Sequence, residues 1–146
     1  MEYKMTIFKK IFTSVLCCCL ALSLTVPSYA AEARLSHGIS ADMLFGITDT
    51  GLAEVSVDYI ANSTSFTSIA VETYIQKRTL GFIWTKVDNG EVDKTWVDTS
   101  TAEDDYFVHH LQLDDTGTYR AVIKITFSGT GAEDDVITEK LTAVYE

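Results

Sequence analysis

Residues 115–127 read Asp115-Thr116-Gly117-Thr118-Tyr119-Arg120-Ala121-Val122-Ile123-Lys124-Ile125-Thr126-Phe127. From Tyr119 onward, Tyr119, Ala121, Ile123, Ile125 and Phe127 occupy every second position, with Arg120, Val122, Lys124 and Thr126 between them. Successive side chains of a strand point to opposite faces, so a period of two describes a strand with one buried face. The same period recurs on both sides of this segment. Ala53, Val55, Val57 and Tyr59 alternate with Glu54, Ser56 and Asp58, and Ile69, Val71, Thr73 and Ile75 alternate with Ala70, Glu72, Tyr74 and Gln76. Phe107, His109, Leu111 and Leu113 share one face of a further strand. Ile137, Glu139, Leu141, Ala143 and Tyr145 share one face of the last. Shorter strands are expected over residues 44–47, 83–87 and 95–97.

Turn chemistry separates these runs. Asn62-Ser63-Thr64-Ser65, Leu80-Gly81, Asp88-Asn89-Gly90 and Ser128-Gly129-Thr130-Gly131 carry the small and amide residues that turns favour. No segment holds a 3.6-residue apolar period for ten residues, and no internal repeat is present. Sixteen Thr in residues 31–146, together with many Val and Ile, suit a pleated surface better than a helix. Seven or eight strands at this spacing predict an all-β, antiparallel sandwich.

Residues 1–30 read differently. Lys4, Lys9 and Lys10 precede an uncharged apolar run that begins at Ile11. Val26-Pro27-Ser28-Tyr29-Ala30 then supplies a helix breaker and small residues suited to cleavage after Ala30. A signal peptide over 1–30 and a secreted domain over 31–146 are expected, with a retained membrane anchor as the rival. A lipid-bearing cysteine in Cys17-Cys18-Cys19 is disfavoured, because Val15-Leu16 precede it where a small residue is wanted. The full chain of 146 residues has a formal charge of −10, from 11 Lys and Arg against 21 Asp and Glu. Residues 31–146 lose Glu2 and three lysines, leaving 20 acids, 8 bases and a charge of −12. They contain no Cys and no Pro, so their stability must come from core packing. The acidity speaks against nucleic acid, since little positive charge is available to neutralise phosphates.

Asp115-Thr116-Gly117-Thr118-Tyr119 resembles the tyrosine corner of immunoglobulin-like domains, with Asp115, Gly117 and Tyr119 as its structural residues. In that motif the Tyr hydroxyl ties back to upstream backbone. Ala121 stands where a disulfide-bonded family member has Cys, Val55 or Val57 stands at the partner position, and the strand around Val71 lacks the usual Trp. The resemblance therefore implies an immunoglobulin-like sandwich of seven to eight strands without a disulfide. The chain is also similar to an uncharacterised family of small secreted Gram-positive bacterial proteins with an immunoglobulin-like domain. The shared features are the leader, Ile75-Gln76-Lys77-Arg78, Trp84 with Val87, and Gly117-Thr118-Tyr119-Arg120. That likeness implies the fold and secretion, and supplies no catalytic or binding residues.

Few residues suggest chemistry. His109 and His110 are adjacent on a strand and so face opposite ways, which prevents them from sharing a metal. No nucleophile turn of the Gly-x-Ser-x-Gly kind occurs. Acidic loops are the more visible feature. Asp104 and Asp105, with Asp134 and Asp135, are candidate calcium ligands, against the plainer reading of solvated loops. Loop carboxylates also leave a small secreted hydrolase as an alternative, although a domain of this size has little room for a substrate cleft. Phe82, Ile83 and Trp84 stand in a row, so one large apolar side chain of that strand must face outward. Phe82, Trp84 and Trp96 are accordingly the candidate contact residues, against a role in covering the core. The resulting expectation is a secreted, non-catalytic binding or interaction module. It needs no cofactor, it is not an enzyme, and its partner is a protein or a carbohydrate. The alternatives are a carboxylate-based hydrolase or a calcium-stabilised structural or effector protein.

Overall fold

The computed structural model describes residues 35–146, and the expected leader lies outside them. Eight strands follow one another: β1 Gly38–Ile47, β2 Leu52–Ala61, β3 Phe66–Thr79, β4 Ile83–Lys86, β5 Trp96–Ser100, β6 Asp104–Gln112, β7 Gly117–Gly129 and β8 Asp135–Tyr145. A single 3-10 turn at Val92–Lys94 precedes β5. β1 begins six residues earlier than its alternation suggested. Its first half, Gly38 to Asp42, carries no apolar alternation: Ile39 is exposed at the sheet edge, and the residues around it are small or polar.

Two antiparallel sheets form. The first has the order β1-β2-β6, and the second runs β4-β3-β7-β8. β5 also joins the second sheet, pairing with β3 along the edge that β4 uses further on: β5 opposes Ile69–Thr73 and β4 opposes Gln76–Thr79. The chain crosses between sheets after β2, returns after β5 and crosses again after β6. This path and strand order make an immunoglobulin-like sandwich. The residues described hold no cysteine, so no disulfide joins the sheets.

The alternating faces become the two sides of the core. Val55, Val57 and Tyr59 of the first sheet meet Ile69, Val71, Ile75, Ala121, Ile123, Ile125 and Phe127 of the second. Aromatic rings fill one end: Tyr59 lies stacked at 6.0 Å from Phe107 and edge-on at 5.8 Å from Phe127, while Phe66 lies edge-on to Phe127 at 6.4 Å. Burial pushes the Tyr59 phenol above its usual pKa, and its hydroxyl donates to the Ala102 carbonyl at 2.9 Å. Glu139 takes a core-facing phase on β8 yet stays exposed. A charge pointing inward from an edge strand discourages pairing with a further strand.

Two local devices close the ends. Tyr119 is buried, and its hydroxyl donates to the backbone carbonyl of Asp115. Gly117 has φ +147 at this corner, a conformation that a side chain would strain. Lys77 lies over the Tyr119 ring and pairs with the Asp115 carboxylate at 3.0 Å. At the opposite end, Asp135 Oδ2 accepts N–H groups from Ser36, His37 and Gly38. Partial burial raises the Asp135 pKa, but the three backbone donors outweigh it and hold the carboxyl below its ordinary value.

A depressed native pKa means that the unfolded chain takes up the proton first. The clamp's stabilisation is therefore complete above the ordinary aspartate value and is lost as the pH falls below about 4. Asp135→Ala should cost about 1.5–3 kcal/mol at pH 7, the range for hydrogen bonds to a charged group. Urea melts from pH 7 to 3 should show the variant losing less stability on acidification than the native protein.

Candidate functional site

Register decides which charges share a surface. Across the second sheet, Trp84 opposes Arg78, Lys86 opposes Gln76, and Gln76 opposes Arg120. Arg120 in turn opposes Thr142, Val122 opposes Lys140, and Glu72 opposes Lys124. On β3 and β7 these positions alternate with the buried ones, and the register carries the same outward phase to β4 and β8; Val122 alone among them is covered by its neighbours. Five of the seven Lys and Arg residues in 35–146 therefore lie on one surface: Arg78, Lys86, Arg120, Lys124 and Lys140. Its single strand acid, Glu72, is paired with Lys124 at 2.8 Å. The outward face of the first sheet carries Asp42, Glu54, Asp58 and Asp104, with no Lys or Arg among its strand positions. An acidic protein has thus separated its charges onto opposite sides.

Three of these cations, Arg78, Lys86 and Arg120, are held by rings and neutral groups. Arg120 lies over the Trp84 ring at 4.2 Å and donates from Nε to Gln76 Oε1 at 2.7 Å. Arg78 reaches the same indole at 5.9 Å and donates to Thr118 Oγ1 at 3.2 Å. Lys86 Nζ lies 4.1 Å from the centre of the Tyr74 ring. A cation over an aromatic face is attracted by the ring's quadrupole, and stacking also fixes its orientation.

The three candidate contact residues separate in space. Trp84 belongs to the cationic face. Phe82 is 75% exposed at the tip of the β3–β4 hairpin, beside exposed Leu80 and Ile83. Leu80 has a left-handed backbone (φ 51) and Gly81 follows at φ 79, the geometry of a tight hairpin turn. Trp96 does not join them. It opposes buried Thr73, packs against the core and stacks on the His109 ring at 4.7 Å. Asp98 meets His109 Nε2 at 2.6 Å, so Trp96, Asp98 and His109 brace β5 against β6 at the sandwich edge. His110 points the other way and reaches Glu54 at 2.9 Å. Since Trp84 lies on the outward face, Trp84→Ala should change stability by less than about 1 kcal/mol, where a core Trp would cost about 3–5. Equilibrium urea unfolding measures the difference.

The acidic loop residues are engaged locally. Asp135 holds the clamp, Asp134 accepts from Ser128 Oγ at 3.0 Å, and Asp105 accepts from Ser100 Oγ at 2.9 Å. Asp104 begins β6 opposite Ile60. Among the described residues, no three acidic, His or Cys side chains are grouped as a metal site. An open depression of about 470 Å³ lies where β4 gives way to β5 along the β3 edge, lined by Glu72, Lys86, Glu91, Val92, Asp93, Thr95 and Val97.

The sequence contained a usable signal for the cationic face. Each of its five cations occupies the outward phase of its own strand, and four strands share that bias. Only the register joins them into a surface.

No family model matches the chain, and no curated protein matches it. Among solved structures, the CARDB domain of a Pyrococcus furiosus protein, crystallised in complex with di-metal ions, is similar at 16% identity with a TM-score of 0.42. The match covers 81% of this chain and 98% of that one.

Proposed function

We propose that the chain is a secreted, non-catalytic binding module whose contact surface is the outward face of the five-stranded sheet. The observation that carries this reading is charge segregation: five of the seven Lys and Arg in residues 35–146 share one face of a strongly acidic protein. Random placement would scatter them among the acids, where they would screen self-repulsion. Gathered on one side, they favour an anionic partner and steer its approach. The lysine-flanked apolar leader and its small-residue cleavage pattern support work outside the cell.

The test uses immobilised protein and material from culture medium and cell envelope. A variant carrying Arg78→Glu, Lys86→Glu and Arg120→Glu should lose the retention that the native protein shows. A control carrying Asp42→Lys and Asp58→Lys on the opposite face should keep it. Equal retention by all three proteins removes the role of this face, and a clean turnover in an activity screen removes the non-catalytic reading.

A further inference from the structure

We propose that this face binds an acidic polysaccharide, with Arg78 and Arg120 beside Trp84 receiving its carboxylate or sulfate groups. The proposal rests on the reading of that face as the contact surface and names what it contacts.

The first support is the state of the two guanidinium groups. In a chain with twenty acids in residues 31–146, neither makes an ion pair within the described residues. Arg120 gives Nε to Gln76, and Arg78 gives one terminal nitrogen to Thr118. Arg120 keeps the fork of its two terminal nitrogens, and Arg78 keeps a second N–H on the bonded nitrogen that forms a fork with a neighbouring nitrogen. The fork geometry matches the paired oxygens of a carboxylate or sulfate. Stacking on Trp84 has already restricted Arg120, so less side-chain freedom is lost when an anion arrives.

The second support is the layout of the face. Protein interfaces place apolar anchors at the centre and polar groups at the rim. Here the order is reversed. Val122, at the centre, is 3% exposed, whereas exposed Val97, Val136 and Val144 lie on β5 and β8 at the margins. The centre is cationic, which suits a partner recognised by charge.

The third support is extent. Lys140, which makes no ion pair within the described residues, opposes Val122 on β8, one strand across and two residues along from Arg120, a separation of about 8 Å at the spacing and rise of a sheet. Cations spaced this far apart fit an extended chain with sparse charges better than a single small anion. Nucleic acid is the poorer match. Its phosphates are dense, one per about 1.7 Å of duplex, and the protein's overall charge opposes them.

Affinity electrophoresis of the full-length protein tests the proposal, with polygalacturonate and dextran sulfate as probes. Neutral dextran and polyglutamate serve as comparisons. The expected result is retardation by at least one acidic polysaccharide and none by neutral dextran, weakening as salt rises from about 50 to 200 mM. The polymer that retards shows whether carboxylate or sulfate is preferred. Arg78→Ala and Arg120→Ala should each weaken binding about tenfold or more, as expected for lost charge-assisted hydrogen bonds. His110→Ala, on the outward face of the other sheet, should leave binding unchanged, and unaltered thermal melting shows that the variants are folded.

Absence of retardation by both acidic polysaccharides overturns the proposal. So does equal weakening by His110→Ala. Polyglutamate binding as tightly as the sugars assigns the face to an acidic protein and also overturns it. If polysaccharide binding fails while extracellular retention still depends on this face, the ligand class falls and the binding-module reading stands. If both fail, both readings fall.

Discussion

Gly129→Ala should destabilise the domain by about 3 kcal/mol, at the upper end of the range for inserting a methyl group into a packed site. A Cβ at this position would lie 2.2 Å from the Ser65 carbonyl oxygen and 2.2 Å from His37 Nδ1. A variant can dispense with the His37 ring, but the Ser65 oxygen is backbone. It is already held by the Thr130 N–H at 2.8 Å, which fixes the start of β3 against the chain leaving β7. His37→Ala should therefore fail to rescue Gly129→Ala. The measurement is urea unfolding of the single and double variants. A loss below about 1 kcal/mol would show that this corner yields to a side chain. Glycine is needed here for close approach of backbone and ring.

Phe127→Ala should be still more damaging, at about 3–5 kcal/mol. Phe127 is 0% exposed and meets Tyr59 from the first sheet and Phe66 from the second. Removing it opens a cavity beneath the aromatic cluster that joins the sheets. Small domains hold only about 5–15 kcal/mol in total, so this one ring accounts for a large share. Phe82→Ala is the matched control. The same truncation at the exposed hairpin tip should change stability by no more than about 0.5 kcal/mol. Similar losses for the two variants would contradict the assignment of Phe127 to the core and Phe82 to the surface.

The architecture was legible because burial imposes a period of two. Ala53, Val55, Val57 and Tyr59 can be assigned to one face before any partner strand is known, and the structure buries all four. The same holds for Tyr119, Ala121, Ile123, Ile125 and Phe127. Edge strands were harder. β1 is an edge strand, and Gly38-Ile39-Ser40-Ala41-Asp42 carries little alternation to read. The candidate surface was less legible still. Trp84 and Trp96 look equivalent in sequence, yet opposite phases on β4 and β5 send one outward over Arg78 and the other inward onto His109. Partners such as Gln76 and Arg120 are 44 residues apart, and no local pattern announces their pairing. Local physics assigns a residue to a face, and long-range register then assembles the faces into a surface.

The Asp135 clamp has a kinetic consequence. It ties the amides of Ser36 to Gly38 to a carboxylate nearly a hundred residues later. These amides stay without that partner until the start of the last strand is in place, although β1 itself pairs locally with β2. Pairing of β2 with β6 likewise has to close a loop that carries β3, β4 and β5. Such distant contacts place folding in the slower range for small domains, roughly milliseconds to seconds. Residues 31–146 also lack proline and cysteine, so neither prolyl isomerisation nor disulfide exchange can add a slower step. Refolding should be unhurried but clean, its pace set by how long the two ends take to find each other.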